Sequence, residues 1–141
     1  MKIAIASDHG GVELKALIQS HFTDGIEWVD MGTNSSDSVN YADYGRRVGA
    51  AVHKGEYERA ILICGSGIGI SIAANRFSKV RAALCTDVTM ARLTREHNDA
   101  NVLCLGARII GAQVALDIVK TFLSTEFEGG RHQARVDSLD F

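Results

Sequence analysis

Proline is absent from all 141 residues, and no repeat, low-complexity segment or linker divides the chain. One domain spanning 1–141 is expected, long enough to hide roughly 70% of the surface its unfolded chain would expose. No apolar run approaches the ~20 residues of a membrane span, and no basic segment leads into a cleavable apolar stretch. A cytoplasmic protein without a membrane partner is expected. Basic residues are not in excess either, since the net charge is −2. That balance gives no general attraction to nucleic acid, so any anion-binding surface must be local. Cysteine is scarce, and the odd number and spacing of Cys64, Cys85 and Cys104 fit neither a disulfide framework nor a zinc knuckle. No two histidines have metal-ligand spacing, and no metal is expected. What remains, 46% hydrophobic and 23% charged residues, excludes a disordered chain and fits a globular one.

Against that background the stretch Ala60 to Arg76, AILICGSGIGISIAANR, stands out. An apolar run rich in branched residues ends at Cys64, passes Gly65, Gly67 and Gly69 in quick alternation, and continues into the helical segment ISIAAN. Such a strand, turn and helix start lets backbone approach a ligand closely and presents unpaired N–H groups, which suits an anion or an oxyanion. Cys64 stands at the lip of the turn, where a thiolate would feel the same field. The other reading of Cys64 is a small buried residue ending a strand.

Five apolar runs, Lys2–Ser7, Ile26–Met31, Arg59–Cys64, Arg81–Cys85 and Asn101–Leu105, predict strands. Helical stripes lie between and after them: Leu14, Leu17, Ile18 and Phe22; Tyr44, Val48, Ala51 and Val52; Ile70, Ala73, Ala74 and Phe77; Met90, Leu93 and His97. Ile68 and Ile72 fill a second face of the third helix, which is therefore expected to be buried, and His97 is expected to turn inward. Two i+4 rows, Val114, Ile118, Phe122 and Ala115, Val119, Leu123, mark a long last helix, with Thr86 or Asp87 placed to cap the helix before it. The alternation predicts a three-layer α/β/α Rossmann-like fold with a five-stranded parallel sheet, and leaves the order of the last two strands open. Ligands bind beyond the carboxyl ends of such strands. Asp8 and His9 follow the first, Cys64 and the glycines the third, and Asp87 the fourth. The polar loop TNSSDSVN, residues 33–40, is of the kind that lines sites.

The glycine turn reads G-x-G-x-G, with Ile70 where a dinucleotide fingerprint needs its last glycine, although Asp87 lies about where a ribose-binding acid would. A nucleotide reading is thus a partial match, and a Walker A lysine is missing. A phospho-acceptor domain would carry aspartate at the end of the third strand, where this chain has Cys64. His97, just before the helix-breaking Asn98 and Asp99, is either a satisfied core histidine or a functional one. Arg131 and Arg135 lie one helical turn apart in the tail, as a solvated basic end or as a phosphate clamp that Arg108 could complete.

Taken together, SDHGG, CGSGIGISIAANR, EHNDANVL, GARIIG and EGGRHQARV resemble the ribose-5-phosphate isomerase B family, in the family's order, from Lys2 to about Asp137. That family also holds allose-6-phosphate isomerases and the paired galactose-6-phosphate isomerase subunits, to which the joint presence of Cys64, His97 and the Asp8-His9 pair is less suited. The resemblance implies an aldose–ketose isomerase that interconverts D-ribose 5-phosphate and D-ribulose 5-phosphate through ring opening and a cis-enediol(ate), with allose 6-phosphate as the alternative substrate. It implies Cys64 as the proton-transfer base, because the position of the family's alternative glutamate base is Ile70. His97 is implied as the ring-opening acid, with Asp8 its candidate helper and Ser66 adding a hydroxyl. The sugar phosphate would be held by Asp8, His9, Tyr41, Gly65, Ser66, Gly67, Ile68, Gly69, Asn98, Arg108, Arg131 and Arg135. Neither cofactor nor metal is implied. A homodimer is, or a homotetramer, with each site built from two chains. A non-catalytic sugar-phosphate or nucleotide-binding module is the rival from another class.

Overall fold

The computed structural model describes residues 1–140. In chain order the elements are β1 (Lys2–Ser7), a single 3-10 turn (His9–Gly11), α1 (Val12–His21), β2 (Glu27–Asp30), α2 (Tyr41–His53), β3 (Arg59–Cys64), α3 (Ile68–Ala74), β4 (Ala82–Leu84), α4 (Val88–Asn98), β5 (Val102–Gly106), α5 (Ala112–Ser124) and α6 (Arg131–Asp137). All strand pairs are parallel and the sheet order is β2-β1-β3-β5-β4. The expected three-layer α/β/α architecture is present, and β5 lies inside β4. No helix among the described residues is long and apolar enough to cross a membrane.

The central strands are apolar on both faces because both faces are covered. Ile3, Ile5, Ile61, Ile63, Leu103 and Leu105 point to one side, against Ile18 of α1 and Ile118 and Phe122 of α5. Ala4, Ala6, Ala60, Leu62, Cys64 and Cys104 point to the other, against Val48 of α2 and Ile70 and Ala74 of α3. The small residues on that second face let α2 and α3 sit close to the sheet.

Two expectations about helix faces are corrected. Ile68 and Ile72 are 53% and 56% exposed, so α3 buries one stripe, Ile70, Ala73 and Ala74, and presents the other to solvent. On α4 the buried positions are Ala91 and Arg95, while Met90 is exposed and His97 partly so. A charged residue holds the inward position because its fork is satisfied: Arg95 donates to the carbonyls of Ala100 (2.7 Å) and Thr125 (3.1 Å) and to the Asp99 carboxylate (2.9 Å). Val114, in the first turn of α5, also faces solvent.

The edge strands are shorter than their apolar runs. At β4 the amide of Asn75 brackets Ala82, accepting its N–H at 2.8 Å and donating to its carbonyl at 2.9 Å. The Asn101 side chain likewise accepts the Arg81 N–H at 2.8 Å and donates to the Lys79 carbonyl at 2.8 Å.

At the other edge Lys15 of α1 is 1% exposed, and its ammonium donates to Asp30 (2.7 Å), the Thr33 carbonyl (2.6 Å) and Asn34 (2.7 Å). It anchors the start of the 31–40 loop. Burial alone would raise the Asp30 pKa, but hydrogen bonds from Lys15, Gly32 and Gln19 outweigh it and hold the carboxyl below its ordinary 3.8. The folded form therefore binds this proton less readily than the unfolded chain, so the contribution is present above 3.8 and is lost as pH falls through the lowered value. Lys15→Ala is expected to cost about 3 kcal/mol at neutral pH, read from urea unfolding midpoints, and to flatten the acid limb of stability between 3.8 and lower pH. An unchanged midpoint would mean that the loop needs no anchor.

Candidate active site

The strand order sets β1, β3 and β5 side by side, so the loops that leave their carboxyl ends meet at one sheet edge. Connections run outward in opposite directions from β1 and β3, which is where such sheets open a crevice. Asp8, at the end of β1, donates its N–H to the Ile63 carbonyl at 3.1 Å, and its carboxylate accepts the Gly10 N–H at 2.9 Å.

The turn after β3 is shaped by its glycines. Gly67 has φ +77°, and a side chain there would stand 2.6 Å from Leu84 Cδ1 and 2.8 Å from the Leu105 carbonyl carbon. Glycine alone fits. Its N–H donates to Cys64 Sγ at 3.1 Å, and the Ile68 N–H donates to Ser66 Oγ at 3.2 Å. The loop after β5 is stitched to the same turn by N–H groups of Ala107 and Arg108, which donate to the Cys64 and Gly65 carbonyls at 2.9 Å each. This draws the Arg108 side chain across Gly65. Tyr41, at the start of α2, lies over Gly69 so closely that a Cβ there would meet the ring at 2.5 Å.

Asp8, Tyr41, Cys64, Gly65, Ser66, Gly69, Arg108 and Ile109 line a cavity of ≈ 330 Å³, room for a small phosphorylated ligand. Ile109 is the lining residue that sequence reasoning missed, since an apolar residue in GARIIG carries no chemical signal. His9 serves the site at one remove: its Nδ1 accepts the Val39 N–H at 3.1 Å, fixing the end of the 31–40 loop just before Tyr41. Ile68 points to solvent rather than into the cavity, and Ile70 is 0% exposed in the core.

The remaining expected residues form a second group. His97 and Asn98 end α4, and with His132, Arg135, Val136 and Leu139 they line a separate cavity of ≈ 310 Å³. Arg131 and Arg135 stand one turn apart on α6, both exposed. The two cavities share no residue, so one chain does not bring Cys64 and His97 to a common pocket. His97 stacks on His132, ring centroids 4.4 Å apart at 18°, and Glu128 faces both rings. Burial first, and then His97, hold the His132 imidazole below its ordinary pKa. The histidine pair is 35 positions apart in the chain, so no spacing rule could find it.

Asp87 proves to be the cap of α4, accepting the Met90 N–H at 2.8 Å, and lies outside both cavities. Burial pushes the Cys85 thiol up to about 12 and the Cys104 thiol upward as well.

This geometry has close counterparts. The family model described as Ribose/Galactose Isomerase matches residues 3–139. Ribose-5-phosphate isomerase B of Escherichia coli is 47% identical over 139 residues, which are 98% of this chain and 93% of that protein. The solved ribose-5-phosphate isomerase B of Clostridium thermocellum superposes with a TM-score of 0.96 at 54% identity, covering 99% of this chain and 95% of that one. The Mycoplasma genitalium enzyme of the same name, solved with bound ribulose-5-phosphate, has a TM-score of 0.94 at 42% identity, covering 98% and 93%. A match that runs through both cavities, from β1 to the end of α6, establishes that the chain belongs to the Ribose/Galactose Isomerase family.

Proposed function

We propose that this chain is a ribose-5-phosphate isomerase, an aldose–ketose isomerase that interconverts D-ribose 5-phosphate and D-ribulose 5-phosphate. The observation that carries the reading is a thiol at the lip of a glycine turn, in a cavity of sugar-phosphate size, with a backbone N–H directed at its sulfur. His97 protonates the ring oxygen while the anomeric hydroxyl loses its proton, with Asp8 as its helper; histidine exchanges protons near working pH. Cys64 then takes the proton from C2 of the open aldose, and the electron pair moves to give an enediolate. The same proton returns at C1 while the hydroxyl proton passes from O2 to O1, leaving the ketose. In this reading the glycine turn and the Ser66 hydroxyl stabilise the developing oxyanion, a contribution of about 3 kcal/mol per donor.

A site assembled from two copies explains why one chain separates the acid from the base. In this reading His97, Asn98, Arg131 and Arg135 of a second chain complete the cavity around Cys64, with the arginines on the phosphate. The exposed apolar residues beside that cavity, Tyr41, Ile68, Ile72 and Ile109, supply a contact face. A homodimer is the least assembly that satisfies this, and a homotetramer would contain it. One domain, residues 1–141, in a cytoplasmic enzyme that needs neither cofactor nor nucleic acid completes the reading.

The direct test supplies the purified protein, without added metal or cofactor, with ribose 5-phosphate and separately with allose 6-phosphate. Ketose from the pentose is expected; preference for the hexose would change the substrate, and turnover of neither would favour a binding module. Mixing Cys64→Ala and His97→Asn chains, each inactive alone, is expected to restore roughly a quarter of the normal rate, because half of randomly paired dimers then hold one intact site of two. No restoration would remove the shared two-chain site from the reading. Arg135→Ala is expected to act mainly through KM, by about tenfold or more, as loss of a charged phosphate contact should.

A further inference from the structure

Glu128, half exposed just before α6, directs one carboxylate at two imidazoles. Its Oε1 lies 3.9 Å from His97 Nε2 and its Oε2 lies 4.0 Å from His132 Nε2. One ligand atom from each of the three residues falls within 4.8 Å of the others. These separations are too long for hydrogen bonds. They are near what one small cation would draw together, since zinc holds nitrogen and carboxylate ligands at about 2.0–2.2 Å and so spaces tetrahedral neighbours roughly 3.5 Å apart. We propose that His97, Glu128 and His132 form a three-ligand site for a divalent cation of the zinc type, and that filling it withdraws His97 from acid duty. The second half of that statement rests on the isomerase reading.

The donor set selects the ion. Two imidazoles and one carboxylate, with a fourth position open, suit zinc and its transition-metal neighbours, whereas magnesium and calcium prefer oxygen alone. The scaffold is held in place: the Glu128 N–H donates to the Glu96 carbonyl at 3.1 Å, tying this segment to α4 one residue before His97, and His132 is 6% exposed. The moving parts are the half-exposed Glu128 and the His97 ring, 38% exposed, which must swing out of its stack because stacked rings aim their lone pairs side by side. Arg131 and Arg135 on α6 oppose a cation, which favours a reversible site over a permanent one.

Calorimetric titration of the metal-free protein with Zn²⁺ is expected to saturate at one ion per chain, and isomerase activity to fall in step and return with EDTA. Glu128→Gln is expected to keep the metal-free activity and to lose roughly tenfold or more in zinc affinity and in zinc inhibition, and His132→Gln to lose the affinity too. Undiminished affinity in both variants would overturn the site, as would a thiolate charge-transfer band with Co²⁺, which would move the ion to Cys64. Because binding is read without substrate, saturable zinc in a protein that isomerises no sugar would retain the site and remove the isomerase reading. Isomerase activity untouched by saturating zinc would overturn the inhibitory half.

Discussion

Cys64→Ala is expected to abolish isomerisation, lowering kcat by about a thousandfold or more while sugar-phosphate affinity stays within a few-fold. The sulfur has one polar contact, the Gly67 N–H at 3.1 Å, and it lines the cavity without anchoring any loop, so its loss removes chemistry rather than shape. The Cys64 carbonyl, which does hold the β5 loop through Ala107, is untouched by the change. Solvent exchange gives the sharper readout. The native enzyme should wash deuterium into C2 of the aldose whenever the thiol exchanges its proton with water, and the variant should wash in none. Cys64→Ser keeps the shape of the side chain but offers a smaller hydroxyl that does not ionise near neutral pH, and it should be nearly as inactive. Residual activity above a tenth of normal in either variant would assign the proton transfer to another group.

The second large effect concerns His97. His97→Asn is expected to lose about a hundredfold or more on ribose 5-phosphate, which reaches the site mainly as a closed ring, and to recover much of that rate on a substrate supplied already open. In the proposed mechanism the split arises because ring opening and proton transfer use different residues, held on different elements, α4 and the turn after β3. The ring rests against His132, so asparagine also tests whether presence of a polar side chain suffices. Equal loss on both substrates would assign His97 to a step after ring opening.

Much of this is legible in the sequence because the informative residues are local. The strand, glycine turn and helix around Cys64 are contiguous, and the positive φ at Gly67 is a demand that only one residue type meets, so the order of strand, turn and helix is found as read. The parallel sheet follows from apolar runs without alternation. The faces of α3 and α4 mislead for two physical reasons. Ile68 and Ile72 look like core by hydropathy alone, which cannot distinguish a buried face from one kept apolar for contact with another chain. Arg95 looks like surface by type, and only the carbonyls of Ala100 and Thr125 explain its burial. The union of His97, Glu128 and His132 depends on how α6 returns to α4, a long-range contact with no local signature.

The bracket that Asn75 places around Ala82 bears on how copies of this chain can meet. An open strand edge invites a second sheet to zip onto it, and β4 is such an edge by position. The N–H and carbonyl of Ala82 are already taken by a side-chain amide from the same chain, so an arriving strand would have to evict Asn75 before it could pair. Fibre-like growth along the sheet is thereby disfavoured at this border, and the homodimer proposed above would have to form through helical and loop surfaces, where the exposed isoleucines of α3 stand.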